Sequence, residues 1–271
     1  MLNVTSTSAD RPSAGPPLLR ETPIADAAVP RMELAEWATR FGVVGGITTR
    51  GRGAGGGGGF SLGLWSEENV GQVMSRWRAV GATFRSRFPG LVLAHQVHGT
   101  ALAWHRAAAD GWVILDGLDG HATGIRGLLL TVTVADCIPV YLAVPQKQVV
   151  ALLHAGWRGV AGGVLERAVE LLRREAFTRG ADIVMHCGVG ICGSCYEVGS
   201  EVLSEFSGRA EPGPGHLDLR SVLVQQAQAL GLSDVSVSPW CSAHDRDRFF
   251  SHRASGGRDG RMVAYLGMPL A

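Results

Sequence analysis

The chain has 271 residues, of which 46% are hydrophobic and 18% are charged, and its formal net charge is +1. The charged share lies below the ~25% of a typical soluble domain, so the chain is able to bury a sizeable core. Because positive and negative charges nearly balance, no strongly basic face is expected, which argues against nucleic acid or an anionic membrane as a partner. We therefore expect a small-molecule site.

The N-terminal region and the Gly-rich segment predict loops. Residues 1 to about 30 are rich in Ser, Pro, Ala and Thr without a hydrophobic period, and predict a disordered leader. Residues 51–59 read GRGAGGGGG, which neither a helix nor a central strand tolerates. The segment lacks the Gly-Lys-Ser/Thr ending of a phosphate-binding P-loop. A flexible surface loop is the favoured interpretation, with a ligand lid as the alternative.

After that loop, apolar residues at helical spacing predict three helices, and short aliphatic runs predict seven strands. The helices are Glu67–Phe84, Gly159–Phe177 and Asp218–Leu230, the last with Asp218 as its N-cap. The strands are Leu91–Ala94, Leu128–Val134, Ile138–Val144, Val149–Leu153, Asp182–Met185, Val235–Val237 and Met262–Leu266. Helices and strands mix without a repeat. We predict an α/β (α+β) fold in which residues 31–271 form a single catalytic domain of mixed β-sheets flanked by helices.

The cellular compartment is predicted from the cysteines and from two kinds of segment that the sequence does not show, a membrane-spanning helix and a secretory signal. No window holds the ~18 consecutive apolar residues of a membrane-spanning helix. The N-terminal residues lack the basic and apolar regions of a secretory signal. The cysteines are Cys137, Cys187, Cys192, Cys195 and Cys241. Because this set is odd in number and unevenly spaced, it does not predict a disulfide scaffold. We expect a cytoplasmic protein whose thiols are free for metal binding or catalysis.

Three segments combine metal-capable or nucleophilic side chains with predicted strand ends, where distant residues converge on one cleft. They are His95–Gly99, Ala135–Pro139 and His154–Gly159. Together they offer two histidines and one cysteine, and imidazole and thiolate suit zinc. A packed core histidine and a small buried thiol are the alternatives on residue types alone. Asp136 beside the thiol, which is costly to bury unpaired, and Pro139, which interrupts strand pairing, favour a functional cysteine.

The motifs HQVHG, TVTVADCIPVYLAV, LLHAGWRGVAGGVLERAV and CYEVG, in this order, resemble the bacterial purine nucleoside phosphorylase family. That family is also labelled laccase-domain, multicopper polyphenol oxidase or peptidoglycan editing factor. The resemblance extends to Thr48-Thr49-Arg50, Asp119–Thr123, Ser251-His252-Arg253 and Gly260-Arg261, and spans about residues 40 to 267. Gly63 and Ser75 depart from the family pattern, in which these positions are usually Asn. The Gly-rich insertion after Arg50 is a further departure.

The resemblance implies that His98, Cys137 and His154 bind Zn²⁺, with His95 packing beside them. It also implies phosphorolysis of adenosine, guanosine, inosine and methylthioadenosine, and deamination of adenosine. Purine nucleosides and phosphate are therefore the expected partners. Catalytic zinc lowers the pKa of bound water to about 7 and so supplies a nucleophile at neutral pH.

The expected catalytic residues around the metal are Cys137, Asp136 and Arg50. Asp136 is expected to orient a metal-bound histidine or to accept a proton. Arg50 is the candidate for binding phosphate, with Arg158 behind it. Glu197, in the CYEVG motif, is interpreted as a cap of the following helix.

Three other functions are weighed against this one. Copper is possible in the zinc site, but a multicopper polyphenol oxidase uses mostly His-x-His pairs, and none of the nine histidines forms one. A cysteine hydrolase would use Cys137 as nucleophile and His154 as base. A non-catalytic binding protein is the third. Separately, Cys187-x4-Cys192-x2-Cys195 copies part of an iron–sulfur ligand set, with Cys241 as a candidate fourth ligand.

Overall fold

The computed structural model describes residues 15–25, 28–51 and 59–271. In these ranges the strands are β1 (Thr22–Pro23), β2 (Arg31–Glu33), β3 (Val44–Thr48), β4 (Gly90–His95), β5 (Leu102–His105), β6 (Gly111–Asp116), β7 (Gly120–Thr123), β8 (Leu128–Val134), β9 (Ile138–Val144), β10 (Val149–Ala155), β11 (Val184–Cys187), β12 (Glu197–Val198), β13 (Gly215–His216), β14 (Asp234–Val237) and β15 (Met262–Gly267). The helices are α1 (Ala35–Phe41), α2 (Val70–Phe84), α3 (Trp157–Ala161), α4 (Val164–Ala176), α5 (Ser200–Ser207), α6 (Leu219–Ala229) and α7 (His252–Ser255).

The strands form two large mixed sheets and one small antiparallel pair. The seven-stranded sheet has the order β1-β2-β3-β15-β8-β4-β6, and the six-stranded sheet has the order β14-β11-β9-β10-β7-β5. In the first sheet β4 runs parallel to β6 and β8, and in the second β11 is parallel to β14 and β5 to β7. The predicted α/β fold with mixed sheets is confirmed.

The two large sheets face each other, and helices cover their outer faces. Along β9, Tyr141 and Ala143 point into the core between the sheets. Val140 and Leu142, which alternate with them, point into a second core against α4 and α6. A third core packs α2 on the outer face of the seven-stranded sheet. Because β9 is buried on both faces, its sequence is apolar without alternation. None of the helices in the described ranges has the length and apolar character needed to cross a membrane.

Two of the predicted helices are confirmed, with small differences at their ends. Helix α2 starts three residues later than predicted, after Asn69, whose side chain accepts a hydrogen bond from the amide of Gln72. Asp218 is the N-cap of α6 as predicted, since its carboxylate accepts from the amides of Arg220 and Ser221.

The predicted helix Gly159–Phe177 is in fact two helices, α3 and α4. They are separated at Gly162 and Gly163, and the latter adopts a φ of 82° that breaks the helical path. The prediction that Glu197 caps the following helix is wrong, because Glu197 lies in β12 and Gly199 is the N-cap of α5.

Part of the predicted disordered leader is ordered. The amide of Leu19 donates a hydrogen bond to the carbonyl of Val237 at 3.0 Å, and β1 pairs with β2. The Glu21 side chain is fully buried. The prediction of disorder is therefore wrong for residues 15–25. Polar contacts hold this segment, and such contacts produce no hydrophobic period in the sequence. Residues 1–14 and most of the Gly-rich loop, residues 52–58, lie outside the described residues.

Candidate metal centre

The candidate site forms where strand ends from both large sheets meet. Cys137 directly precedes β9, and His154 is the sixth residue of β10. In the antiparallel register Ala155 lies opposite Ile138, so the thiol and the imidazole share one end of the six-stranded sheet. His98 comes from the other sheet, in the loop that follows β4.

The side chains of His98, Cys137 and His154 converge. One ligand atom from each lies within 4.8 Å of the other two. The two imidazole rings are 4.8 Å apart between centroids and nearly perpendicular, at 76°. Two imidazoles and one thiolate are a donor set that fits zinc or another N/S-preferring metal, and three protein ligands are typical of a catalytic site. The residues present therefore fit the metal that the resemblance implies.

A single carboxylate, that of Asp119, organises two of the three candidate ligands. It accepts hydrogen bonds from the amides of Val97, His98 and Gly99 at 3.2, 3.0 and 2.7 Å. It also accepts one from Nδ1 of His154 at 2.8 Å. Because Nδ1 is engaged, Nε2 is the nitrogen of His154 left for a metal or for the thiol. Carboxylates behind metal-bound histidines commonly fix the ring in this way.

Charge and burial shift the pKa values of the side chains at this site. Burial would raise the pKa of the Cys137 thiol, but the charge of His154 and hydrogen bonds from His154 and His98 lower it to about 6. Burial would lower the pKa of His154, but the Cys137 thiolate and Asp119 raise it to about 9. Burial opposes ionisation of Asp119 as well, yet its bonds to His154 and the loop amides lower its pKa. Thiolate and imidazolium therefore stabilise each other.

Asp136 does not contact the candidate ligand His154. Its carboxylate accepts hydrogen bonds from the Ser242 hydroxyl and the Arg253 amide, both at 2.6 Å. Its φ of 87° lies in the left-handed region, in the turn between β8 and β9. Asp136 thus holds two distant segments against the turn that presents Cys137. The expectation that it orients a candidate ligand histidine is wrong, because Asp119 holds His154. The alternative expectation, that Asp136 accepts a proton, stays a prediction, and Asp136 lines the cavity over the candidate ligands.

Sequence reasoning gave Asp119 no role. The available signal was an acidic residue directly before a short strand of small and polar residues, where an unpaired buried carboxylate is costly. What the sequence does not display is that β7 pairs with β10, which puts Asp119 beside His154.

An open cavity of about 460 Å³ lies over the three candidate ligands. Arg158, Arg253 and Arg261 line it, and none of them forms an ion pair with a carboxylate in the described part of the chain. Arg158 lies over the Trp157 ring at 4.2 Å, and Arg253 lies over the Tyr196 ring at 5.0 Å. The cavity therefore offers positive charge and aromatic surface beside the thiol and imidazoles.

Of two other residues that the sequence pointed to, His95 lines this cavity and Arg50 does not. Arg50 does not line it, because its guanidinium pairs with Asp259 and stacks on Phe250 at 4.4 Å. His95 does line it, with Nδ1 2.9 Å from the Asp116 carboxylate and its ring against Trp65. Three arginines line the cavity over the candidate ligands, and Arg50 is not among them.

Comparison with known proteins places this chain in a family. A family described as multi-copper polyphenol oxidoreductase laccase matches residues 45–269. The chain belongs to this laccase-like family. A relative from Geobacillus stearothermophilus, named purine nucleoside phosphorylase YlmD, is 31% identical over 83% of this chain and 90% of its own length.

Two further relatives extend the comparison. A protein from an unknown prokaryotic organism, named adenosine deaminase RL5, is 33% identical over 54% of this chain and 61% of its own length. The crystal structure of a Bacillus licheniformis hypothetical protein, YfiH, superposes with a TM-score of 0.80 at 26% identity. That superposition covers 91% of this chain and 98% of the other. The laccase-like family thus includes relatives named for two reactions of purine nucleosides.

Proposed function

We propose that this chain is a zinc-dependent purine nucleoside phosphorylase that also deaminates adenosine. The observation that carries the proposal is the His98–Cys137–His154 cluster under a cavity lined by arginines without carboxylate partners. The names of the relatives support purine nucleosides as the substrate class. A cytoplasmic location is part of the proposal, and the five unpaired cysteines support it.

His98, Cys137 and His154 would hold the zinc ion. When bound, zinc supplies a Lewis acid that polarises a substrate oxygen or activates water. Asp119 keeps Nδ1 of His154 occupied and braces the His98 loop, so both imidazoles are oriented before substrate arrives. Copper remains a chemical competitor for such a donor set.

The arginines of the cavity would bind phosphate. Guanidinium groups match phosphate oxygens with paired, charge-assisted hydrogen bonds. In phosphorolysis a phosphate oxygen bonds to C1′ of the ribose while the bond from C1′ to the purine nitrogen breaks. The purine leaves with that bonding pair and gains a proton. The attacking phosphate would be held close to the sugar by Arg158, Arg253 and Arg261. These three residues would thus take the phosphate-binding role first expected for Arg50.

The aromatic side chains of the cavity would hold the purine. Trp65, Trp157 and Tyr196 all line the cavity. Base–aromatic stacking contributes about 1–3 kcal/mol per base where it has been measured by alanine substitution in proteins that bind single-stranded nucleic acids. Burial raises the pKa of the Tyr196 hydroxyl to about 12, so this group stays a hydrogen-bond donor at neutral pH.

A cysteine hydrolase is the second candidate function, and one observation favours it. Cys137, His154 and Asp119 also form the series of nucleophile, base and orienting carboxylate that such enzymes use. The same three residues serve both functions. Metal content separates them, because a thiol nucleophile requires no bound ion.

The test combines metal analysis with product chromatography. We expect the purified chain to retain zinc and to convert adenosine into adenine only when phosphate is present, and into inosine with or without it. Cys137→Ala should lose the ion of this site and both products. A Cys137→Ala chain that keeps its activity would overturn the mechanism. An active wild-type chain whose metal content does not change in Cys137→Ala would favour the hydrolase instead.

The phosphate site has its own variant. Arg158→Ala should raise the KM for phosphate by roughly 10- to 100-fold, since a hydrogen bond to a charged group contributes about 1.5–3 kcal/mol. Deamination, which needs no phosphate, should change less. Arg167→Ala is the matched control, because Arg167 is exposed on α4 and does not line the cavity. Equal effects of the two substitutions would contradict this assignment.

A further inference from the structure

A second cluster of metal-ligating side chains lies apart from the first. Cys192 and Cys195 belong to the loop after β11, and Cys241 and His244 belong to the loop after β14. One ligand atom from each of the four lies within 4.8 Å of all the others. None of the four lines the cavity over Cys137.

The sulfur and nitrogen atoms of these side chains lie close to one another. Sγ of Cys195 lies 3.1 Å from Nε2 of His244, and Sγ of Cys192 lies 3.7 Å from Nδ1 of the same ring. The amide of Cys192 donates to Sγ of Cys241 at 3.3 Å. All three cysteines are unpaired. A Cys-x2-Cys turn therefore faces a Cys-x2-His turn, each supplying two donors.

We propose that Cys192, Cys195, Cys241 and His244 bind a second zinc ion in a closed structural site. Three thiolates and one imidazole are a common structural zinc set, with short spacings within each ligand pair. Zn–S bonds of about 2.3 Å and Zn–N bonds of about 2.0 Å place tetrahedral ligand atoms roughly 3.5–3.8 Å apart. The Cys–His separations of 3.1 and 3.7 Å, and the limit of 4.8 Å on all pairs, are close to that range, so small side-chain adjustments close the shell.

The iron–sulfur set suggested by the sequence spacing requires Cys187. That thiol points from β11 into the apolar core against α4 and α6, and it is fully buried. It does not belong to the cluster, and His244, which the spacing did not flag, takes the fourth position. A hard cation is also disfavoured, since thiolates select zinc and other soft metals.

The second ion would position the walls of the first site. Tyr196 follows Cys195 and lines the cavity. Ser242 follows Cys241 and donates to Asp136, which directly precedes Cys137. An ion that joins the two loops would therefore fix both an aromatic wall and the turn that presents the thiol. With four protein ligands it has a structural role and takes no part in the reaction.

The test is a zinc count on full-length variants, and it does not depend on the proposed reaction. We expect two zinc ions per wild-type chain by mass spectrometry of the metal, and one in His244→Ala. Cys137→Ala should also hold one, and the double variant none. His216→Ala is the matched control, because His216 is exposed, belongs to neither cluster and should leave both ions bound. His244→Cys should restore the second ion, which keeps the test valid if His244→Ala folds poorly.

Cobalt substitution identifies the ligands. Cobalt in the proposed site should show strong thiolate charge-transfer absorption that survives Cys137→Ala, is lost in His244→Ala and shifts in His244→Cys. One zinc per wild-type chain, lost in Cys137→Ala and kept in His244→Ala, would overturn the proposal. Iron in place of zinc, or a disulfide among the three cysteines in freshly purified chain, would overturn it as well.

Discussion

At the scale of single residues, Asp119 couples candidate ligands that arrive from different sheets. Its side chain is fully buried, and all of its named partners belong to the His98 loop or to His154. A carboxylate in this position fixes the tautomer of one imidazole and the backbone path to the other. Loss of its charge should therefore affect metal binding more than folding.

We predict that Asp119→Asn weakens zinc binding by about 10- to 100-fold, the usual effect of removing a carboxylate behind a metal-bound histidine. The amide keeps the shape of the side chain and one oxygen for the loop amides, but it no longer favours Nδ1–H on His154. Competition with a zinc chelator measures the affinity. Asp116→Asn is the control, because Asp116 holds only the partly exposed His95. Unchanged affinity in Asp119→Asn would contradict the role given to this carboxylate.

The buried side chain of His121 leads to a second prediction at the scale of residues, which concerns the pH dependence of stability. Its ring is buried with Nδ1 3.1 Å from Nε2 of His105, and its own Nε2 has no hydrogen-bond partner among the residues that the structure describes. Burial, with a smaller contribution from the charge of His105, lowers its pKa to about 3. The unfolded chain, with a His pKa near 6.5, takes up the proton first as pH falls. The folded state therefore loses stability between about pH 6.5 and pH 3, and this group has little effect above that window.

The expected size is about 2 kcal/mol of unfolding free energy lost between pH 7 and pH 5 through this one histidine. His121→Gln should remove that share of the pH dependence, because the amide does not titrate. Urea unfolding of both chains at the two pH values measures it. If the variant and the wild type lose the same free energy, His121 is not the group responsible.

At the scale of elements, the strands with a strong hydrophobic signal are the ones whose bounds the sequence predicts well. The bounds of β8 and β9 agree with the prediction because both strands are rich in aliphatic and β-branched residues along their whole length. Strands β5 and β7 were missed, since their sequences LAWH and GHAT carry polar residues and little hydrophobic signal. The candidate ligands were predicted from motifs. Asp119 was missed because its role depends on the pairing of β7 with β10, which is a non-local contact.

The junction of β10 and α3 shows how an element can be built around a site. Gly156 has φ −78° and ψ 167°, a conformation that alanine also adopts. A Cβ there would lie 3.0 Å from Sγ of Cys137 and 3.0 Å from Cδ2 of His98. The small space beside the candidate ligands, and not the backbone conformation, therefore favours glycine at this position.

We predict that Gly156→Ala lowers zinc affinity by at least about tenfold, since overpacking of this kind costs typically 1–3 kcal/mol and here acts on two ligands. Gly124→Ala is the matched control, because its Cβ would meet nothing closer than 3.6 Å. Chelator competition and thermal unfolding of both variants test this. Equal zinc affinity in Gly156→Ala and wild type would show that the ligands tolerate the added methyl group.

At the scale of the whole molecule, the site joins the two sheets. His98 follows a strand of the seven-stranded sheet, whereas Cys137 and His154 belong to the six-stranded one. The loops that hold the second cluster continue the six-stranded sheet beyond β11 and β14. The end of the molecule that carries the two candidate metal sites is thus held by polar contacts, while the apolar layers hold the rest.

The N-terminal segment is fastened to this framework by a buried polar network. The Glu21 carboxylate lies 3.2 Å from Nε2 of His186 and accepts from Ser238 at 2.7 Å, and Nδ1 of His186 contacts Ser236 at 3.0 Å. Glu21 and His186 are both fully buried. Removing one member leaves the others unsatisfied in the interior, which is costlier than losing a surface contact.

We predict that Glu21→Ala lowers the free energy of unfolding by about 3 kcal/mol, because it strips partners from buried groups. Glu21→Gln, which keeps the shape and part of the hydrogen bonding, should lose less. Glu36→Ala is the control, since Glu36 forms an exposed pair with Arg40 that contributes only about 0–1 kcal/mol. Denaturant unfolding of the three variants ranks them. A Glu21→Ala chain as stable as Glu36→Ala would mean that residues 15–25 rest on the fold without stabilising it.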